Sequence, residues 1–137
     1  MVRPGPGALN LKRYIDEDFC YLTTTGRVTG LPHEIEIWFS LVPETRTLYV
    51  LSGSDGSDWV LNLRRTPEVS VRISSERFDG QARIVEDAEE DELARRLLVE
   101  KYENTPGSIS NWRRTALPVA VDLKPTSARD RGGRRSL

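Results

Sequence analysis

The segment TTTGRVTGLPHEIEIWF, residues 23–39, constrains the fold more than any other. From His33 to Leu41 the side chains alternate, with His33, Ile35, Ile37 and Phe39 on one face and Glu34, Glu36 and Trp38 on the other. A period of two residues marks a strand with one buried face. Just upstream, FCYLTTT (19–25) is rich in aromatic and β-branched residues and suits a second strand. Gly26 and Gly30 bracket Arg-Val-Thr between them, so the whole segment reads as strand, tight turn, strand.

The same reasoning extends along the chain. VPETR (42–46) is a turn, and TLYVLS (47–52) returns as a third strand. SGSDGS (52–57) is a loop whose last residue, Ser57, is placed to cap a short helix, DWVLNLRRT, that stops before Pro67. EVSVRI (68–73) alternates with Val69, Val71 and Ile73 inward, and SSERFDG forms a turn into a strand, QARIVE. A long helix is expected from Ala88 to Tyr102, with Leu93, Leu97 and Leu98 as its apolar stripe. SISNWRRT adds a helical turn, and LPVAVDL (117–123) is the final strand. Six strands joined mostly by short turns, with two to three helices, do not follow the βαβα order of a doubly wound sheet. The expected fold is α+β, a single-domain, mainly antiparallel six-stranded barrel with helices packed outside. An oligonucleotide-binding barrel would share that element count.

MVRPGPGALN (1–10) has the Pro/Gly density of a disordered leader, and residues 124–137 read as a disordered basic tail, leaving 11–123 as the folded domain. The formal charge of −1 conceals a net +4 in that tail and about −6 over residues 11–123. An acidic body argues against nucleic acid as the partner of the fold itself. No apolar run approaches the roughly 20 residues a membrane helix needs, and no signal-peptide pattern opens the chain, so the expected compartment is the cytoplasm.

Little conventional catalytic equipment is present. One histidine, His33, excludes a multi-histidine metal site and leaves little for a serine triad. The single cysteine, Cys20, excludes an internal disulfide and reads as a small core residue. The carboxylates of 86–92 open a helix and read as a solvated face, so no metal site is expected. The Gly-Arg-Val-Thr-Gly turn is different. Threonine hydroxyls and backbone N–H groups beside an arginine suit a phosphate, although a plain hairpin turn would use the same glycines. It is neither a G-x-G-x-x-G motif nor a P-loop. The helix that follows SGSDGS adds Trp59, a ring surface, and Asn62, an amide.

Taken together, LTTTGRVTGLP, IWF, LSGSDGSDWVLNLRRTPEVSVRI, EKY and NWRRTALPVAV resemble the deazaflavin-dependent nitroreductase and quinone reductase family, part of the split β-barrel, FMN-binding-like group. The resemblance covers about residues 19–123. It implies a split β-barrel oxidoreductase that passes hydride from reduced coenzyme F420, a deazaflavin, to a quinone, nitroaromatic or enone. It places Thr24, Thr25, Gly26, Arg27, Thr29 and Gly30 against the cofactor's phosphate and side chain, with His33 nearby. It places Glu36, Ile37 and Trp38 beside the ring, and Ser52, Gly53, Ser54, Trp59 and Asn62 as the elements closing the site. Ile109 and Trp112 fall on the substrate side. Homodimers are common in such barrels, and one is expected here.

This sequence departs from the family pattern at identifiable points. Val28 and His33 stand where many relatives carry lysine or arginine, Glu34 and Glu36 replace uncharged residues, and the SGSDGS loop is short and lacks lysine. FMN, or a deazaflavin with a shorter tail, is therefore the alternative cofactor. A non-catalytic cofactor carrier, or a nucleic-acid-binding barrel using the basic tail, is the alternative function.

Overall fold

The computed structural model describes residues 11–103 and 116–125. Its strands are β1 (Cys20–Thr25), β2 (Pro32–Ile37), β3 (Ser40–Val42), β4 (Thr47–Ser52), β5 (Glu68–Ile73), β6 (Glu76–Ile84) and β7 (Leu117–Leu123). Helix α1 spans Asp58–Arg65 and helix α2 spans Ala88–Tyr102. All neighbouring strands are antiparallel, in the order β2-β1-β5-β6-β7-β4-β3.

That order dictates the shape. β2 and β3 are consecutive in the chain yet lie at opposite edges of a seven-stranded sheet. Laid flat, those edges would be about 29 Å apart at about 4.8 Å per strand. Only Trp38 and Phe39 separate the two strands, and three Cα steps reach at most about 11 Å. The sheet must therefore curl until its edges nearly meet, which makes an antiparallel half-barrel.

Two apolar clusters result. The inner one gathers Leu22, Phe39, Leu48, Val50, Val71, Phe78 and Val119 inside the curl, with Leu63 of α1 packed among them. The second lies between the sheet and α2, where Tyr49, Leu51 and Ala120 meet Ala94, Leu98 and Tyr102. β4 contributes to both, so each of its residues is buried, as a run like TLYVLS requires.

Three expectations need correction. The alternation from His33 to Leu41 belongs to two strands, because the chain breaks at Trp38–Phe39. Phe39 N–H donates to the Tyr102 hydroxyl at 3.1 Å, and Lys101 Nζ donates to the Phe39 carbonyl at 3.0 Å. The break is thus satisfied by the far end of α2 instead of by a strand partner. The sheet accordingly has seven strands, not six. β6 begins at Glu76, so only Ser74 and Ser75 form the turn, and Phe78, Gly80 and Ala82 face inward. Finally, the buried stripe of α2 is Ala94, Leu98 and Tyr102, with Leu93 and Leu97 half-buried at its margin.

The acids at the start of α2 have structural partners. Asp87 caps the helix by accepting from Glu90 N–H at 2.9 Å. Arg83 grips Glu90 and Asp122 through paired hydrogen bonds, and Tyr49 donates to Glu90 at 2.7 Å. This network fastens the helix to β6 and β7.

Candidate functional site

The turn between β1 and β2 is built by its glycines. Gly26 N–H donates to the Leu31 carbonyl and Gly30 N–H to the Gly26 carbonyl, both at 2.8 Å. Gly30 has φ +77°, where a side chain would be strained. A Cβ on Gly26 would lie 3.0 Å from Thr29 Oγ1 and 3.1 Å from the Leu31 carbonyl oxygen. Thr29 Oγ1 accepts from Leu31 N–H at 3.1 Å. These bonds use the base of the turn and leave the Val28 and Thr29 N–H groups at its tip with no partner among the described residues. Val28 itself is 87% exposed.

Asn62 of α1 anchors the turn from behind. It is 2% exposed, and its Oδ1 accepts from Arg27 N–H at 3.1 Å and from Arg27 Nη1 at 2.9 Å. Its Nδ2 donates to Thr24 Oγ1 at 3.1 Å, and Thr24 is itself buried. The amide therefore spends its donor on the strand and its acceptor on the arginine. Arg27 Nη2 also meets Asp58 Oδ1 at 3.2 Å, with the Asp58 carbonyl 3.4 Å from Nη1.

Gly26, Arg27, Val28, Thr29, His33, Asp58 and Asn62 line a recess of about 190 Å³ here. Guanidinium, hydroxyl and free N–H groups suit a phosphate-sized anion. The volume falls below the roughly 300 Å³ at which pockets for whole cofactors begin. The recess therefore fits a phosphate-sized group and not a whole cofactor. His33, Ile35 and Ile37 share the inner face of β2, opposite Thr24, Leu22 and Cys20, and the two isoleucines are only half-buried there. A larger hollow of about 490 Å³ lies against Glu17, Asp18, Phe19, Tyr21, Arg72, Ser74 and Ser75. Its arginine is already stacked 4.2 Å over Tyr21 and bonded to the Ser74 carbonyl at 3.2 Å. The smaller recess has the better chemistry.

The structure brings Thr24, Gly26, Arg27, Thr29, His33 and Asn62 together, with Thr25 and Gly30 in the adjoining backbone. The other sequence-selected residues among those described lie apart from the recess lining. Glu36 is on the outer face of β2, accepting from the Tyr21 hydroxyl at 2.9 Å. Trp38 does not share that face: its ring stacks on Tyr102 at 4.5 Å between centroids. Ser52 is buried and bonded to the Ser54 backbone and the Ser57 hydroxyl, while Gly53 and Ser54 are exposed. Ser57, expected to cap α1, makes no side-chain cap bond and turns back to the Ser54 carbonyl. Trp59 packs half-buried against the inner core. Ile109 and Trp112 lie outside the described residues.

Asp58 is the recess residue that sequence reasoning missed. An acid opening a helix is ordinary on its own, and no spacing rule connects it to an arginine 31 residues away. Among the described residues no group of three or more acidic, histidine or cysteine side chains converges as for a metal, and no helix is long and apolar enough to cross a membrane.

Comparison with known proteins bears on what such a recess serves. A family model described as F420H(2)-dependent quinone reductase matches residues 8–124. Among solved structures, a protein from Bacteroides thetaiotaomicron described as a candidate 5-nitroimidazole antibiotic resistance protein superposes with TM-score 0.68 at 20% identity, covering 85% of this chain and 79% of its own. The conserved hypothetical protein Rv2991 from Mycobacterium tuberculosis gives 0.68 at 19% identity, with the same coverages. A structure described as an F420 reductase gives 0.59 at 12% identity, covering 82% of this chain and 92% of its own. At such identities the structural likenesses establish the fold alone.

Proposed function

The chain belongs to the F420H(2)-dependent quinone reductase family, and from that premise we propose that it transfers hydride from reduced coenzyme F420 to a small quinone, nitroaromatic or enone. The observation that carries this reading is the recess behind the Gly26–Gly30 turn. Arg27, the unpartnered N–H groups of Val28 and Thr29 and the Thr29 hydroxyl offer donors enough for one phosphate. Asn62 fixes Arg27 from a buried position, so the guanidinium is held in place before any ligand arrives.

When bound and reduced, the deazaflavin supplies the hydride. The protein's part is placement. Holding the phosphate at the turn fixes where the rest of the cofactor extends, and the half-buried Ile35 and Ile37 offer an apolar surface beside it. No described side chain is needed as a nucleophile, and the acceptor's proton comes from solvent or a nearby hydroxyl.

FMN is the second reading, favoured by one feature. Among the described residues the recess presents a single guanidinium, which matches one phosphate and offers nothing further to a long anionic tail. Parallel fluorescence titrations with F420 and FMN, followed by anaerobic reduction of menadione and of a nitroaromatic, separate the two. Tighter F420 binding with turnover supports the proposal. Tighter FMN binding replaces the cofactor, and F420 binding without turnover of any acceptor makes the protein a carrier.

A further inference from the structure

We infer that Asp58 is a built-in counter-anion for Arg27 and thereby sets how much negative charge a ligand of the recess can carry. The inference rests on reading the recess as a phosphate site, and it assigns a specificity-determining residue within it. Arg27 has two kinds of partner. Asn62 is neutral, 2% exposed and bonded on its other side to Thr24, so it cannot move without opening the barrel end. The Asp58 carboxylate is on the open side, with its side chain 76% exposed. It meets Nη2 at 3.2 Å, on the edge of the guanidinium that a phosphate oxygen would take.

An arriving phosphate must therefore share Arg27 with Asp58 or displace it. Among the described residues one cation and one anion line the recess, so a first anionic group meets little net attraction. Every additional negative charge meets Asp58 and an acidic body with no matching cation among the described residues of the lining. Displacing the carboxylate is conformationally easy, because Asp58 is the first residue of α1 and an exposed ion pair is weak. Ser57 makes no side-chain cap, so no capping bond at this end of α1 has to break for the carboxylate to move. Asp58 thus acts as a placeholder that favours ligands with few charges beyond the phosphate.

The test is equilibrium binding, read by deazaflavin fluorescence, of F420 carrying no glutamate and of F420 carrying several. Wild type is compared with Asp58→Asn and Asp58→Glu. Asp58→Asn is expected to tighten the short form about twofold and the long form about fivefold to tenfold, consistent with releasing an exposed pair and a repulsion. Asp58→Glu should stay near wild type. A gain independent of tail charge, or no gain, overturns the inference while leaving the phosphate site standing. Binding of neither form by any of the three proteins overturns the phosphate reading, and this inference with it.

Discussion

At the scale of single residues, Asn62 ties the site to the fold. Its one side chain connects the buried end of β1, through Thr24, to the arginine of the turn. Truncation would leave the Thr24 hydroxyl buried without its donor and Arg27 held only by the exposed Asp58. Asn62→Ala is expected to destabilise the protein by about 2–3 kcal/mol, the usual effect of stripping partners from buried polar groups. It should also weaken cofactor binding, because Arg27 loses its buried anchor and keeps only its exposed partner. Urea unfolding checks the first effect and a binding titration the second; an unchanged midpoint would show that the bracket is ornamental. The sequence could suggest Asn62 only through its helix and its motif. Its partners lie 35 and 38 positions away, and a hydrogen bond across that distance leaves no local pattern. Arg27 and the two glycines were legible because a tight turn imposes its requirements on adjacent residues. Asp58 was not, for the same reason as Asn62's partners.

At the scale of elements, periodicity located most described strands and the helices α1 and α2, and its failures share a cause. The alternating run gave no sign of ending at Ile37, because the groups that end it come from Lys101 and Tyr102. Polar residues disguised the start of β6, although Phe78, Gly80 and Ala82 keep a period of two through it. The contact between α2 and the β2–β3 break also has a pH signature. Lys101 lies 3.8 Å over the Phe39 ring, and burial lowers its pKa to about 8. Above that pH the folded chain has released a proton that the unfolded chain keeps up to an ordinary lysine pKa, so stability rises with pH. Cys20 opposes this from about pH 9, since burial pushes its thiol up to about 12 and the unfolded chain then loses a proton the folded chain retains. Between about pH 7.5 and about pH 9 the wild-type urea midpoint should therefore rise, and that of Lys101→Met should stay level. A parallel rise in the variant would assign the slope to another group.

At the scale of the whole molecule, strand order alone forces the half-barrel, and strand order is what one sequence shows least. Pairings such as β4 with β7 join residues about 70 positions apart, with nothing local to announce them. The class of fold was accessible because short turns between alternating runs favour antiparallel neighbours, and the motif resemblance supplied the rest. The last sheet contact among the described residues is Lys124 N–H to the Asp79 carbonyl at 2.8 Å, and the family match ends at the same residue. A chain stopped at Pro125 should keep its melting temperature and its cofactor affinity within about twofold, close to the scatter of surface changes. Loss of either would give the basic segment a part in the fold or the site. The central claim is that the molecule holds a deazaflavin by its phosphate at the Gly26–Gly30 turn. Its most direct test is a fluorescence titration of wild type and Arg27→Ala with F420, alongside thermal melts of both. The account predicts micromolar or tighter binding by wild type and about tenfold to hundredfold weaker binding by the variant, the worth of one charge-assisted hydrogen-bonded contact. Equal affinities for two equally stable proteins would contradict it.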